Sequence, residues 1–197
     1  MASVSEGEEN YVRMSLLLTG VSPRAARTFF DSEFAPACLD ATLKKEYNKL
    51  FKLKKKHVIN QSQWNLLFQD FLYLIYFTDV PDSKTFDVTL MILLLRNLTQ
   101  INPPLCGYDR LPAAIETTQA ADLARIKHYR NHLAHLDDGK VDTTFFNIAW
   151  TDISSAVERL GGQQMKQECD HLKTKPLDQT NREIMMDIKH SKNETEI

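Results

Sequence analysis

Half of the six histidines in this chain fall in one stretch, ARIKHYRNHLAHLDD at residues 124–138, beside Arg130 and Asn131. An imidazole can take and return a proton near neutral pH, and a guanidinium steadies negative charge. The combination therefore suits acid–base work on a phosphate. At about 100° per residue, Leu123, Ile126, Tyr129, Leu133 and Ala134 share one helix face, and Arg130 projects from the middle of it. Burying a guanidinium without partners is costly. Arg130 must be paired within the core, sit at a subunit interface, or face a cleft that takes an anion. His135 lies roughly 140° further round an ideal helix, so the two diverge unless the helix unwinds near Asp137. A two-fold dimer offers another route, because an isologous contact presents the same face twice and makes one composite cleft. His128, His132 and His135 fall at i, i+4 and i+7, a spacing that a metal could use. Exposed histidines in such rows are more often solvated, and no metal or cofactor is assigned.

A second cluster is basic. Lys44, Lys45, Lys49, Lys52, Lys54, Lys55 and Lys56, followed by His57, form the one sizeable cationic patch of the sequence. Such a patch can track a phosphate backbone, each contact steepening the salt dependence of binding; a solvated helix face is the competing reading. With a net charge of −2, the chain is no global polyelectrolyte, so contact with nucleic acid must be local.

The elements that position these residues read as helices. Only 6 Gly and 7 Pro occur in 197 residues, which argues against a turn-rich β architecture and for an all-α fold. Asn10 can cap a helix carrying Tyr11, Met14, Leu17 and Leu18, and Ser22-Pro23 starts a second. Asp40 precedes a third with Leu43, Tyr47, Leu50 and Phe51 on one stripe. Ser83 can cap a fourth, whose continuous apolar run from Val88 to Leu95 belongs at the centre of the fold. Thr117 or Thr118 opens the histidine-bearing helix, and Asp142 opens another that closes at Gly161-Gly162. Trp64 to Phe77 is interrupted by Gln69 and Asp70 and is core rather than membrane; its end, Phe71–Phe77, leans towards helix. The organisation expected is an acidic, disordered N-terminus at 1–9, a helical domain at 10–162 and a polar helical extension or linker at 163–197. Cys38, Cys106 and Cys169 are too few and too scattered for a disulfide framework, which points to a reducing, cytoplasmic setting.

Tyr129-Arg130-Asn131 followed by Ala134-His135 resembles the R-polar-x-x-x-H motif of HEPN domains (higher eukaryotes and prokaryotes nucleotide-binding). The ordered series NYVRMSLLLTGVSPRAARTFFDS, VINQSQWNLLF, FDVTLMILLLRNL, GYDRLP, ADLARIKHYRN and FFNIAWTDISSAVERLGG is similar to the HEPN variant of the DAZ-interacting zinc-finger protein 3 family, over residues 10–162. The resemblance implies an antiparallel helical bundle with extra N-terminal helices and a polar tail, frequently homodimeric. It also implies RNA binding and, in active members, metal-independent cleavage. Arg130 would then stabilise the phosphorane, His135 would move the proton, Asn131 would orient both, and the lysines from Lys44 to Lys56 would hold RNA. The rival expectation is a non-catalytic dimerisation or docking module for a signalling or ubiquitin-ligase partner. Three cysteines cannot furnish the two zinc sites of a RING, so these residues do not make a ligase by themselves.

Overall fold

A computed structural model of the 197-residue chain describes residues 5–68 and 80–177. The Phe71–Phe77 run and the Ile184, Met185 and Ile188 pattern lie outside the described residues. In chain order the helices are α1 (Glu6–Leu16), α2 (Ser22–Glu33), α3 (Pro36–Lys45), α4 (Tyr47–Lys55), α5 (Gln61–Leu67), α6 (Val88–Leu98), α7 (Gln119–Ala134), α8 (Thr143–Gly161) and α9 (Gln163–Thr174). No strand occurs among the described residues, and none of their helices is long and apolar enough to cross a membrane. The chain divides into two compact units: residues 1–25 with 103–197, and residues 26–102.

In the first unit, α8 packs along both α7 and α9, and α1 packs on α7 and α8. Helix α1 begins at Glu6 rather than after Asn10, so residues 6–9 are its first turn and not disordered. The Ser5 N–H donates to the Glu8 carboxylate at 2.8 Å and the Glu8 N–H donates to Ser5 Oγ at 3.4 Å, closing a capping box. Three glutamates in that turn also suit the positive end of the helix dipole. Asn10 is buried instead, its amide donating to the Val141 carbonyl at 3.2 Å and to Thr143 Oγ1 at 3.3 Å.

Ser22-Pro23 does not restart the chain. A π-helical turn over Leu17–Val21 joins α1 to α2, with the Ser22 N–H and hydroxyl both donating to the Leu17 carbonyl. Proline has no N–H to give to the preceding turn, and one extra residue in the helical ladder accommodates that loss without a break.

Helix α7 is capped by Thr118, whose hydroxyl accepts the Ala121 N–H at 3.2 Å, and α8 by Asp142, which accepts from Thr144 and Phe145. Gly162, at φ 88°, ends α8 in a conformation glycine adopts freely. The polar stretch from residue 163 then folds as α9. It buries Cys169, whose thiol is pushed up to about 11 chiefly by desolvation. The Leu172 and Lys175 carbonyls accept from Arg13 Nη1 at 2.7 and 2.9 Å, which ties this helix to α1.

In the second unit, Val88 and Leu90 to Leu95 of α6 are all buried, as a continuous apolar run demands. Its cap is Asp87, which accepts the Leu90 N–H at 2.7 Å; Ser83 starts only a 3₁₀ turn through Thr85. Phe30, Phe34 and Phe86 form an aromatic cluster with ring centroids 4.8 and 5.9 Å apart. The single lysine-bearing helix expected here is two. It breaks at Glu46, whose backbone (φ −91°, ψ 10°) ends α3 and begins α4, and Pro36 rather than Asp40 opens the pair.

Helix α4 closes in a Schellman turn. The Val58 N–H donates to the Leu53 carbonyl at 3.0 Å and the His57 N–H to the Lys54 carbonyl at 2.9 Å. His57 holds the left-handed position at φ 56°, where glycine is the less strained residue. His57→Gly is therefore expected to stabilise the protein by about 0.5–1 kcal/mol, checked by urea unfolding of both forms. A loss of stability would mean that the imidazole makes contacts outweighing the strain.

Candidate functional site

The face of α7 changes along its length. Every residue from Ala120 to Ile126 is buried, whereas after Lys127 only Tyr129 and Leu133 are. The arginine of the core is thus Arg125, 2% exposed, and not Arg130, which is half-buried. Arg125 Nη1 donates to Asp122 Oδ1 at 2.9 Å and its Nη2 to the Ala113 carbonyl at 2.5 Å. From α8, Arg159 completes the cluster: Nε donates to Asp122 Oδ2 at 2.8 Å and Nη2 to Oδ1 at 2.6 Å. That hydrogen-bonded carboxylate raises the Arg159 guanidinium above its ordinary value. An i,i+3 Asp-Arg pair at residues 122 and 125 was the available sequence signal; the third member comes from another helix and has none.

The expected site residues sit beyond this cluster, at the C-terminal end of α7. Asn131 is exposed, one residue after Arg130. Helix α7 ends at Ala134, and His135 is its exposed cap residue with φ −99° and ψ 8°. The His135 N–H donates to the Asn131 carbonyl at 3.3 Å and to the His132 carbonyl at 3.2 Å. Main-chain bonds therefore join His135 to Asn131, and the helix unwinds at His135 itself. Arg130 lies one turn before that cap.

Their neighbours are ordered. The Tyr129 hydroxyl donates to Asp152 Oδ2 at 2.6 Å, and the His132 ring lies against Phe145 with centroids 4.5 Å apart. His128 is held below the usual histidine value, first by desolvation and then by His132. Among the described residues no group of three or more His, Cys, Asp or Glu side chains is placed to hold a metal ion.

Burial, followed by the hydrogen bond to Asp152, raises the Tyr129 phenol above its ordinary value. The sign follows. The unfolded chain releases this proton near pH 10 while the folded chain keeps it, so the contribution is fully present below about pH 10 and lost above it. Tyr129→Phe should cost about 1–3 kcal/mol at about pH 8, the gap narrowing towards about pH 11. Urea midpoints of both forms across that range check it, and a gap constant with pH would place the phenol outside the folding equilibrium.

The lysines have different surroundings. Lys44 pairs with Asp40 at 2.7 Å, and Lys49 donates to the Asn97 carbonyl. Lys54 lies over the Trp64 ring, 4.6 Å from its centroid, and Lys55 over Phe51 at 4.8 Å. Lys45, Lys52 and Lys56 are exposed. The aromatic rings beside these ammonium groups were not legible in the sequence, because Trp64 and Phe68 come from α5 and its C-cap, and the Asn60–Gln63 capping box that opens this helix was not read.

A family model described as DZIP3/hRUL138-like HEPN matches residues 36–185. The chain is 27% identical over 161 residues to E3 ubiquitin-protein ligase DZIP3 of Homo sapiens and 28% identical over 161 residues to that of Mus musculus. Each alignment covers 77% of this chain and 12% of the relative, so the chain spans about an eighth of the length of these proteins. No solved structure matches.

Proposed function

The chain belongs to the DZIP3/hRUL138-like HEPN family, and from that premise we propose that it is a cytoplasmic, homodimeric RNA-binding module whose α7 termini cleave RNA without a metal. The observation that carries the reading is the division of labour along α7. The Asp122–Arg125–Arg159 cluster belongs to the buried half, while Arg130, half-buried, and Asn131 and His135, exposed, follow at its C-terminal end.

In the proposed reaction the His135 imidazole takes the proton of a ribose 2′-hydroxyl as its oxygen attacks the neighbouring phosphorus. The 5′-oxygen leaves and receives a proton, giving a 2′,3′-cyclic phosphate and a 5′-hydroxyl. Arg130 sits where phosphorane charge develops, and Asn131 orients the pair. The two-fold arrangement supplies a second copy of each group to the same cleft. The exposed lysines Lys45, Lys52 and Lys56 add sequence-independent attraction for phosphate.

Incubating the pure chain with a mixed-sequence RNA in excess EDTA tests this, with product ends identified by mass and oligomeric state by light scattering. Cleavage to cyclic-phosphate ends by a dimer is expected; a strict monomer, or cleavage only when divalent metal is restored, overturns it. A second reading draws on the relatives' name. Because the chain resembles part of E3 ubiquitin-protein ligases, the domain would dock a signalling or substrate protein for ubiquitin transfer. A folded dimer that binds protein and leaves RNA intact is the result that reading expects.

A further inference from the structure

On α4 one helical face carries two rings followed by two cations: Tyr47, Phe51, Lys54 and Lys55 fall at i, i+4, i+7 and i+8. Trp64 of α5 and Phe68, its C-cap residue, complete a quartet. Tyr47 stacks with Phe51 at 5.8 Å and 10°, and meets Trp64 and Phe68 edge to face at 5.6 and 5.0 Å. Trp64 is 6% exposed, so it is the floor of this cluster; Tyr47 is 43% exposed and is its open end. The exposed member of the quartet is thus a phenol ring in contact with three other rings. Lys55 lies over the Phe51 ring and Lys54 over the Trp64 ring.

Packing alone does not require this arrangement. A tyrosine needed only for the core would bury its ring, and lysines needed only for the helix dipole would suit the last turn without lying over aromatic faces. Lys52 and Lys56 add exposed charge on the same stretch, beside His57 in its strained left-handed conformation.

Resting on the RNA-binding reading above, we infer that this quartet is a stacking site for unpaired bases, with Tyr47 as the platform and the α4 lysines as the phosphate contacts, so that the RNA bound is single-stranded. A base has two π faces and can continue the Phe51–Tyr47 stack, while its flanking phosphates reach ammonium groups one helical turn away. A duplex hides those faces in its own stack and offers phosphates alone. An acidic peptide would satisfy the lysines and leave the phenol face unused, which is why the ring geometry favours RNA.

The test measures binding by fluorescence anisotropy with the full chain carrying Arg130→Ala, so that the probe is not cut. The probes are a single-stranded uridine 12-mer, the same length of abasic RNA, and a 12-base-pair RNA duplex. The uridine strand is expected to bind about tenfold or more tightly than the abasic strand or the duplex. Tyr47→Leu, which keeps apolar volume and removes the ring, should lose that advantage, and Tyr47→Phe should keep it. Equal binding of uridine and abasic strands overturns the stacking site while leaving RNA binding intact. No binding of any strand overturns both. Displacement of the 12-mer by polyglutamate of equal charge, at equal concentration, would mark a polyanion surface and also overturns the inference. The abasic comparison uses unaltered Tyr47, so the result stands even where a variant fails to fold.

Discussion

Asp122→Ala is expected to destabilise the first unit by about 3–5 kcal/mol, a large fraction of what a domain of this size possesses. Asp122 is fully buried and accepts hydrogen bonds from two arginines; removing it strands Arg125, 2% exposed, without a counter-charge. The damage extends to the loop, because Arg125 also holds the Ala113 carbonyl. Arg159→Ala should cost less, about 1–2 kcal/mol, since its side chain is 33% exposed and Asp122 keeps Arg125. Combining Asp122→Ala with Arg125→Leu should recover part of the loss, because no charge is then left behind. The two tryptophans allow a clean readout: Trp150 belongs to the first unit and Trp64 to the second, so urea unfolding followed by fluorescence in a Trp64→Phe background reports the first unit. A loss below about 1 kcal/mol would show that water reaches the cluster.

The second large effect is on activity. Arg130→Ala should slow RNA cleavage by about 10²–10³-fold and His135→Ala by about 10²–10⁴-fold, the ranges for losing a charge stabiliser and a proton-transfer group. The double variant should be little slower than the poorer single one, because groups acting on one transition state are not additive. The melting temperature of the His135→Ala variant should barely move, because His135 is exposed. Undiminished cleavage in either variant sinks the assignment of that residue. A collapsed melting temperature with a lost dimer would instead make Arg130 an interface residue.

Local signals in the sequence were legible where one side chain decides the outcome. Thr118 and Asp142 cap their helices as expected, since a short oxygen-bearing side chain before an apolar period has few other uses. Asn10 and Ser83 have the same capping chemistry, yet Asn10 serves a distant loop and Asp87 takes the cap from Ser83. Competing candidates a few residues apart differ only in tertiary surroundings. The arginine exchange has the same origin. Face arithmetic puts Arg130 on the apolar side, but the amino-terminal half of α7 is buried on every side, and the residue able to find a buried carboxylate is Arg125. The polar stretch after Gly162 was hard to read as packed structure because its anchors include carbonyls accepting from Arg13, and backbone acceptors carry no sequence signature.

The first unit is assembled from the two ends of the chain, and its closing contacts span 131 residues from Asn10 to Val141 and 159 from Arg13 to Leu172. Ribosomes deliver residues one after another, at roughly 5–20 per second. Helix α1 therefore emerges many seconds before the helices that cover Val12, Met14 and Leu17, whereas residues 26–102 form their own contacts within one continuous segment. Such long-range closure is slow even in a complete chain. A nascent chain halted after Asn102 would hold every residue of one unit and only the uncovered apolar face of the other, a surface on which aggregation and holding chaperones compete.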